Sequence, residues 1–444
     1  MSETKYDVLV IGAGILGISS AYHIKKNNPE KKVLVIERFS SVGQGNTGRS
    51  NAMFRNTFSS EDNQLLSDST ISYYLHVQEE TGVDLGVELL GYLWLMSSSQ
   101  LQKSQKFVER MRANRIETKQ YSRDELRSLI PGLISTHERS DEESMILGLE
   151  EIDGAIFGPR CGRLDPDKLT AFYRDQFFSL GGKIIFNTNV EQLLVDAKSP
   201  LGIPGEPLVW QEHEISGVRV RGELDGEIRA DTVVVAAGAW NNQLLEPIGL
   251  DGHVKAKKRQ IFTINARESK ELQQLLHLGG FNALGVMPMI ILPKSGVHFK
   301  GVRTSEEFWI QCEDNINREF IDVPPNDFKN LNAEDTYYEG SIYPVLRSYF
   351  PQFTNIKPKS MWAGYYSYNT IDFLPFVSKE EDGLILVGGD SGSGIMKGDA
   401  LGRVVDSVYR DGEDSESSLF GGVPYQVSRL SLKKRRVERE EWVL

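Results

Sequence analysis

One turn constrains this chain more than any other stretch: Gly12-Ala13-Gly14-Ile15-Leu16-Gly17. It follows the apolar run Tyr6-Asp-Val-Leu-Val-Ile11, which suits a strand buried on both faces of a parallel sheet. Ile15 to Asn27 then has helical character, and Val33-Leu-Val-Ile36 reads as a second buried strand that ends at Glu37. A βαβ unit within the first forty residues is the consequence. Each glycine has its own reason. Gly12 permits the tight turn, Gly14 lets the backbone approach a pyrophosphate, and Gly17 lets helix and strand pack closely. The phosphates meet the unpaired N–H groups at the positive end of the helix. Glu37, twenty residues past Gly17, is placed to accept hydrogen bonds from a ribose. Gly43-x-Gly45-x-x-Gly48 repeats the spacing without a preceding strand or a following apolar helix, so it reads as a loop. Its amides are available to wrap the same phosphates from the other side.

Further strands are legible at Gly182-Lys-Ile-Ile-Phe186, Asp231-Thr-Val-Val-Val-Ala-Ala-Gly238 and Leu384-Ile-Leu-Val387. If the strands near 6, 33, 232 and 384 share one parallel sheet, the nucleotide domain is discontinuous. It then takes residues 1–90, 150–240 and 360–412. Residues 91–149 and 241–359 form a second domain, and the alternation of Pro288 to Gln311 predicts antiparallel strands there. The expected class is α/β: a Rossmann-like dinucleotide domain beside an α+β, antiparallel-sheet domain. Helices are predicted near 62–80 and 98–114, with Ser122 capping another through Glu125. Ser199 to Pro207 reads as a hairpin insertion, and residues 413–444 as a polar tail, either a solvated or helical appendage or a surface for an acidic partner.

The net charge of -12 argues against a nucleic-acid partner. Two cysteines, Cys161 and Cys312, indicate neither a disulfide framework nor a cysteine metal site, and no metal is expected. The first residues offer no apolar leader, and no run of 18 apolar residues occurs, so a cytoplasmic location is expected. Homo-oligomerisation stays open.

The later segments carry a resemblance. Val233-Val-Val-Ala-Ala-Gly-Ala-Trp240 and Val387-Gly-Gly-Asp-Ser-Gly-Ser-Gly394 resemble the second and third flavin-contacting stretches of the D-amino-acid oxidase superfamily. Trp362-Ala-Gly-Tyr-Tyr-Ser-Tyr-Asn-Thr-Ile-Asp372, followed by Pro375, is similar to the sarcosine oxidase and dimethylglycine dehydrogenase branch. The likeness spans roughly residues 5 to 410. It implies FAD as cofactor, held by Gly12, Gly14, Ile15, Leu16, Gly17, Glu37 and Arg38, and by Gly45, Asn46, Thr47, Arg49 and Ser50. It further implies contacts from Val190, Ala237, Gly238 and Trp240, and from Gly389, Ser391, Gly392, Ser393, Gly394, Ile395 and Met396. Relatives tether the flavin through a His near the position of Gly48 or Arg49, or a Cys where this chain has Tyr365 or Tyr366. Non-covalent FAD follows. Ser393 stands where the last Gly-rich turn usually carries His.

For the substrate, the resemblance implies a carboxylate anchor at Arg55, with Tyr366 and Tyr368 on the wall near the flavin and Lys397 just past the last Gly-rich turn. Arg suits an anchor because its fork binds both oxygens. The competing reading pairs Arg55 with Glu61 or Asp62. His298 could face the cleft or, as alternation along a half-solvated strand favours, the solvent. The implied reaction is oxidation of the C–N bond of a small amino acid or N-methyl amino acid by hydride transfer to flavin N5, with O2 or an electron carrier as acceptor. A 2-hydroxy-acid or glycerol-3-phosphate dehydrogenase, and a flavin-bearing assembly factor without turnover, are the alternatives.

Overall fold

The computed structural model describes residues 5–138, 140–313, 318–321 and 331–442, so the sequence readings of residues 1–4 and of the last two residues fall outside them. The strand Tyr6–Ile11 (β1) and the strand Val33–Ile36 (β2) lie side by side and parallel, with Val8 opposite Val33 and Ile11 opposite Ile36. On its other edge β1 pairs in parallel with Gly226–Val235, which in turn pairs with Leu384–Gly388. Lys183–Ile185 extends the parallel core beyond β2, and Phe376–Glu381 closes the opposite edge antiparallel. The hairpin strands Thr188–Ala197 and His213–Gly222 complete eight strands. Val8, Leu9, Val10, Leu34 and Val35 are fully buried. At about 1.5–3 kcal/mol for each buried aliphatic side chain, burial on both faces explains why these runs do not alternate.

The helix Ile15–Asn27 (α1) is buried along nearly its whole length, between the sheet and two further helices, Pro166–Ser179 and Gly398–Asp411. Small residues allow the close crossing: a Cβ on Gly402 would stand 2.8 Å from the carbonyl carbon of Ser19. A buried carboxylate locks the three helices. Asp399 lies 2.8 Å from His23 Nε2 and accepts from Arg403 Nε at 2.6 Å and Tyr173 Oη at 3.0 Å. The network fixes α1 at His23 against the two neighbouring helices.

The second sheet also has eight strands, antiparallel except where Met289–Ile291 runs parallel to Tyr92–Met96. Its strands Gly154–Gly158 and Ser360–Asn369 lie in stretches expected to belong to the nucleotide domain. Both segments pair within this sheet, with Tyr92–Met96 and Val254–Asn265 respectively. The capping box at Ser122 is present, with Glu125 accepting from the Ser122 N–H at 2.7 Å. Among the described residues no helix is long and apolar enough to cross a membrane.

The tail is not an appendage. Tyr425, Val427 and Leu430 enter the same core as α1, and Tyr425 Oη donates to Asp62 at 2.7 Å. Arg435 makes a buried 3.0 Å ion pair with Asp372. Its polar composition concealed this because the charges are matched by partners on the body of the protein instead of by water.

Candidate functional site

The turn 12–17 opens onto a narrow cleft of about 190 Å³ between the two sheets. Gly12 has φ +98°, and a Cβ there would stand 2.7 Å from the Ala236 carbonyl. Gly17 does not line the cleft: a Cβ would overlap the Gly12 carbonyl at 2.0 Å, so its role is the helix–strand packing assigned to it. Gly14, Ile15 and Leu16 face the cleft. The loop 43–48 folds over them, with Gly43 N–H bonded to Ala13 O at 3.0 Å and Thr47 Oγ1 accepting from Ile15 N–H at 3.1 Å. Glu37 is buried, its carboxylate accepting from Ala13 N–H at 2.6 Å and Phe39 N–H at 2.9 Å. Burial raises its pKa, against the pull of those two N–H groups. Arg38 stacks on Trp240 at 4.9 Å. Val190, Ala237, Gly238, Gly45, Asn46 and Gly394 also reach the wall. A glycine cradle at a helix N-terminus, an acid at the ribose position and an apolar slot fit a dinucleotide such as FAD.

Gly14→Val tests the cradle. Its Cβ would lie 3.3 Å from Thr47 Oγ1 and its methyl groups would fill phosphate space. The expected result is FAD binding weakened about tenfold to a hundredfold with the circular dichroism spectrum retained. Undiminished flavin absorbance in the purified variant would contradict the assignment.

Not every expected contact lies on the cleft. Arg49 instead fastens the strand Ser360–Asn369: its Nη1 donates to Ala363 O at 3.1 Å and its carbonyl accepts from Trp362 Nε1 at 3.0 Å. Gly389 packs against Phe376 and Asn369 with φ +61°. Asp390, unforeseen, anchors the last Gly-rich turn by accepting from Gly394 N–H at 2.8 Å and from Ser367 Oγ. Thr188, Asn189 and Tyr365 were also missed on the cleft wall.

Ser50, Tyr366, Gly392 and Ile395 line both the cleft and a second cavity of about 730 Å³, so the two spaces adjoin. Arg55 lies on this second wall, 6% exposed, its guanidinium stacked on Phe58 at 4.1 Å. It pairs with neither Glu61 nor Asp62, which both engage Arg429. Its Nη1 donates to Thr57 O at 2.7 Å and its Nη2 to Trp442 O at 2.9 Å. Nearby Glu440 accepts from the N–H and hydroxyl of both Ser59 and Ser60 and from Asn63 Nδ2. Burial would raise the Glu440 carboxyl, but Arg55 and these hydrogen bonds outweigh it and hold it below the usual range.

Tyr366, Tyr368, Ser391, Ser393 and Met396 share the wall. Lys397 does not: it is fully buried, donates to Ser393 Oγ and is pulled down to about 7, chiefly by burial. Met396 occupies the cavity-facing position one residue earlier. His298 is a correction, for it lies 2% exposed on the cavity wall, bonded to Gly296 O and Gln311. Alternation predicted a solvated face there, whereas His298 and Lys300 are both buried on it. Lys300, also missed, is buried and donates to Asn51 O, and burial takes its pKa well down.

Residues 7–407 match the DAO family model, described as FAD dependent oxidoreductase. FAD-dependent oxidoreductase domain-containing protein 1 of Bos taurus is 25% identical, over 97% of this chain and 86% of its own. Monomeric sarcosine oxidase of Bacillus sp. (strain B-0618) is 22% identical over 97% of this chain and 98% of its own. The crystal structure of L-proline dehydrogenase from P. horikoshii superimposes with a TM-score of 0.69 at 21% identity, covering 92% of this chain and 94% of that one. Glycine oxidase from Geobacillus kaustophilus gives 0.68 at 17%, covering 91% and 94%.

Proposed function

Because the chain belongs to the DAO family of FAD-dependent oxidoreductases, we propose that it oxidises the C–N bond of a small amino acid or N-methyl amino acid. The observation that carries this reading is Arg55, a buried guanidinium on the wall of a cavity that adjoins the dinucleotide cleft through Tyr366 and Gly392. Arg55 keeps N–H donors beyond the two already used, enough for a carboxylate. The stack on Phe58 and the Trp442 carbonyl fix its plane, which reduces the entropy lost when substrate binds. FAD, when bound, supplies the two-electron acceptor; the protein's part is to orient the substrate and exclude water. Names of relatives support the class, among them monomeric sarcosine oxidase and glycine oxidase.

Anaerobic mixing with amino acids, N-methyl amino acids, 2-hydroxy acids and glycerol 3-phosphate tests the reading. Bleaching of the flavin within seconds by a member of the first two groups is the expected result. Bleaching by hydroxy acids alone would favour the dehydrogenase reading, whose one support is the partial match to L-2-hydroxyglutarate dehydrogenase, over 55% of this chain. No bleaching by any of them would favour a flavin protein without turnover. A repeat in air separates O2 from an electron carrier as acceptor. The flavin is read as non-covalent, since Gly48, Arg49, Tyr365 and Tyr366 supply neither His nor Cys at the tethering positions. Acid precipitation is expected to leave yellow flavin in the supernatant; flavin retained in the pellet overturns this.

A further inference from the structure

Arg55 is one of several charged groups on the wall of the larger cavity. Glu313, at the end of the strand Glu307–Cys312, lines it as well, and its Oε2 is buried without a hydrogen-bond partner. Three phenols, Tyr92, Tyr366 and Tyr368, line the same space, the last two with ring centroids 6.0 Å apart. Tyr92 feels both the Arg55 and the Glu313 charge, so the two ionic groups share a neighbour. Arg259, which is not on the wall, stacks on Tyr366 and Tyr368 at 5.5 Å from each and donates to Tyr368 Oη at 2.7 Å. His298 is held neutral by burial and does not cancel the carboxylate. Lys257 and Arg439 are on the wall, over the Phe320 ring at 5.0 Å and the Phe373 ring at 4.6 Å, and are the rival cations, while Glu440 and Glu441 line it as further carboxylates.

A buried carboxylate oxygen without a hydrogen-bond partner, on a wall shared with three phenols, is suited to an organic cation. We propose that Glu313, with Tyr92, Tyr366 and Tyr368, forms the pole that receives the substrate's amino group while Arg55 takes its carboxylate. The cavity thereby selects zwitterions, N-alkylated ones included, and disfavours hydroxy acids and phosphates, which bring no cation to satisfy Glu313. This rests on the amino-acid reading above and adds a residue that no resemblance assigns.

Two isosteric probes isolate the charge: trimethylglycine and 3,3-dimethylbutanoate differ only in whether the tetrahedral centre is N⁺ or C. Binding of each to the flavin-loaded protein is measured by calorimetry. Trimethylglycine is expected to bind about tenfold tighter. Glu313→Gln should bring the ratio close to one by weakening trimethylglycine alone, whereas Arg55→Ala should weaken both probes alike. Equal binding to the unaltered protein, an unchanged ratio in Glu313→Gln, or preference for 3,3-dimethylbutanoate (dominance of Lys257 and Arg439) overturns the Glu313 assignment while leaving the anchor intact. If neither probe binds, or Arg55→Ala changes neither, the anchor reading fails and the Glu313 assignment fails with it.

Discussion

Arg55→Ala is expected to raise the KM of the amino acid that bleaches the flavin fastest by roughly a hundredfold, with the bound flavin retained. The size follows from removing one partner of a buried, charge-assisted pair, which costs about 2–5 kcal/mol, or 1.4 kcal/mol for each factor of ten. Flavin should stay because Arg55 lines the larger cavity and not the dinucleotide cleft. Arg55→Lys should recover only part of the loss, since an ammonium keeps the charge but not the planar fork. An unchanged KM in steady-state assays, with flavin content equal to that of the unaltered protein, would remove Arg55 from the substrate site.

The second large effect concerns stability. Glu440→Ala should destabilise the protein by about 3–5 kcal/mol, because it strands the donors of Ser59, Ser60 and Asn63 and removes a buried carboxylate that feels the Arg55 charge. The pH dependence has a definite sign. The folded Glu440 pKa lies below its ordinary value, so its contribution is fully present above that value, near 4.5, and is lost as pH falls through the lower folded value. Urea unfolding of Glu440→Gln should therefore differ from the unaltered protein at pH 7 and converge with it in acid. Equal midpoints at pH 7 would show that the buried network carries no net stability.

The two residues differ in how far sequence alone reveals them. The turn at Gly12, Gly14 and Gly17 is legible because its geometry is local: strand, turn and helix are consecutive, and Glu37 follows at a fixed spacing. Arg55 is legible only through resemblance, since nothing in its neighbours separates an anchor from a structural ion pair. Glu440 is not legible at all. It stands in a run of charged residues whose composition predicts solvation, and only tertiary packing brings it to Ser59, some 380 positions earlier. His298 fails for a related reason: alternation predicts that one strand face is polar, but whether water or protein covers that face is decided by topology. Lys397 shows the limit of register, since one residue's slip exchanges a cavity-lining Met396 for a buried amine.

The order of strands in the first sheet has a consequence for biosynthesis. The strand that begins with Tyr6 emerges from the ribosome early, yet its partner Gly226–Val235 follows some 220 residues later, and Leu384–Gly388, whose following turn walls the cleft, later still. At about 5–20 residues per second, roughly 20–75 s separate synthesis of the first strand from the last. Until then the nascent chain carries an open sheet edge and an incomplete dinucleotide cleft. Flavin capture thus waits for the segment that carries Leu384–Gly388 and the turn after it, and the yield of holoprotein in a cell should respond to FAD supply and to chaperones that shield the early strands.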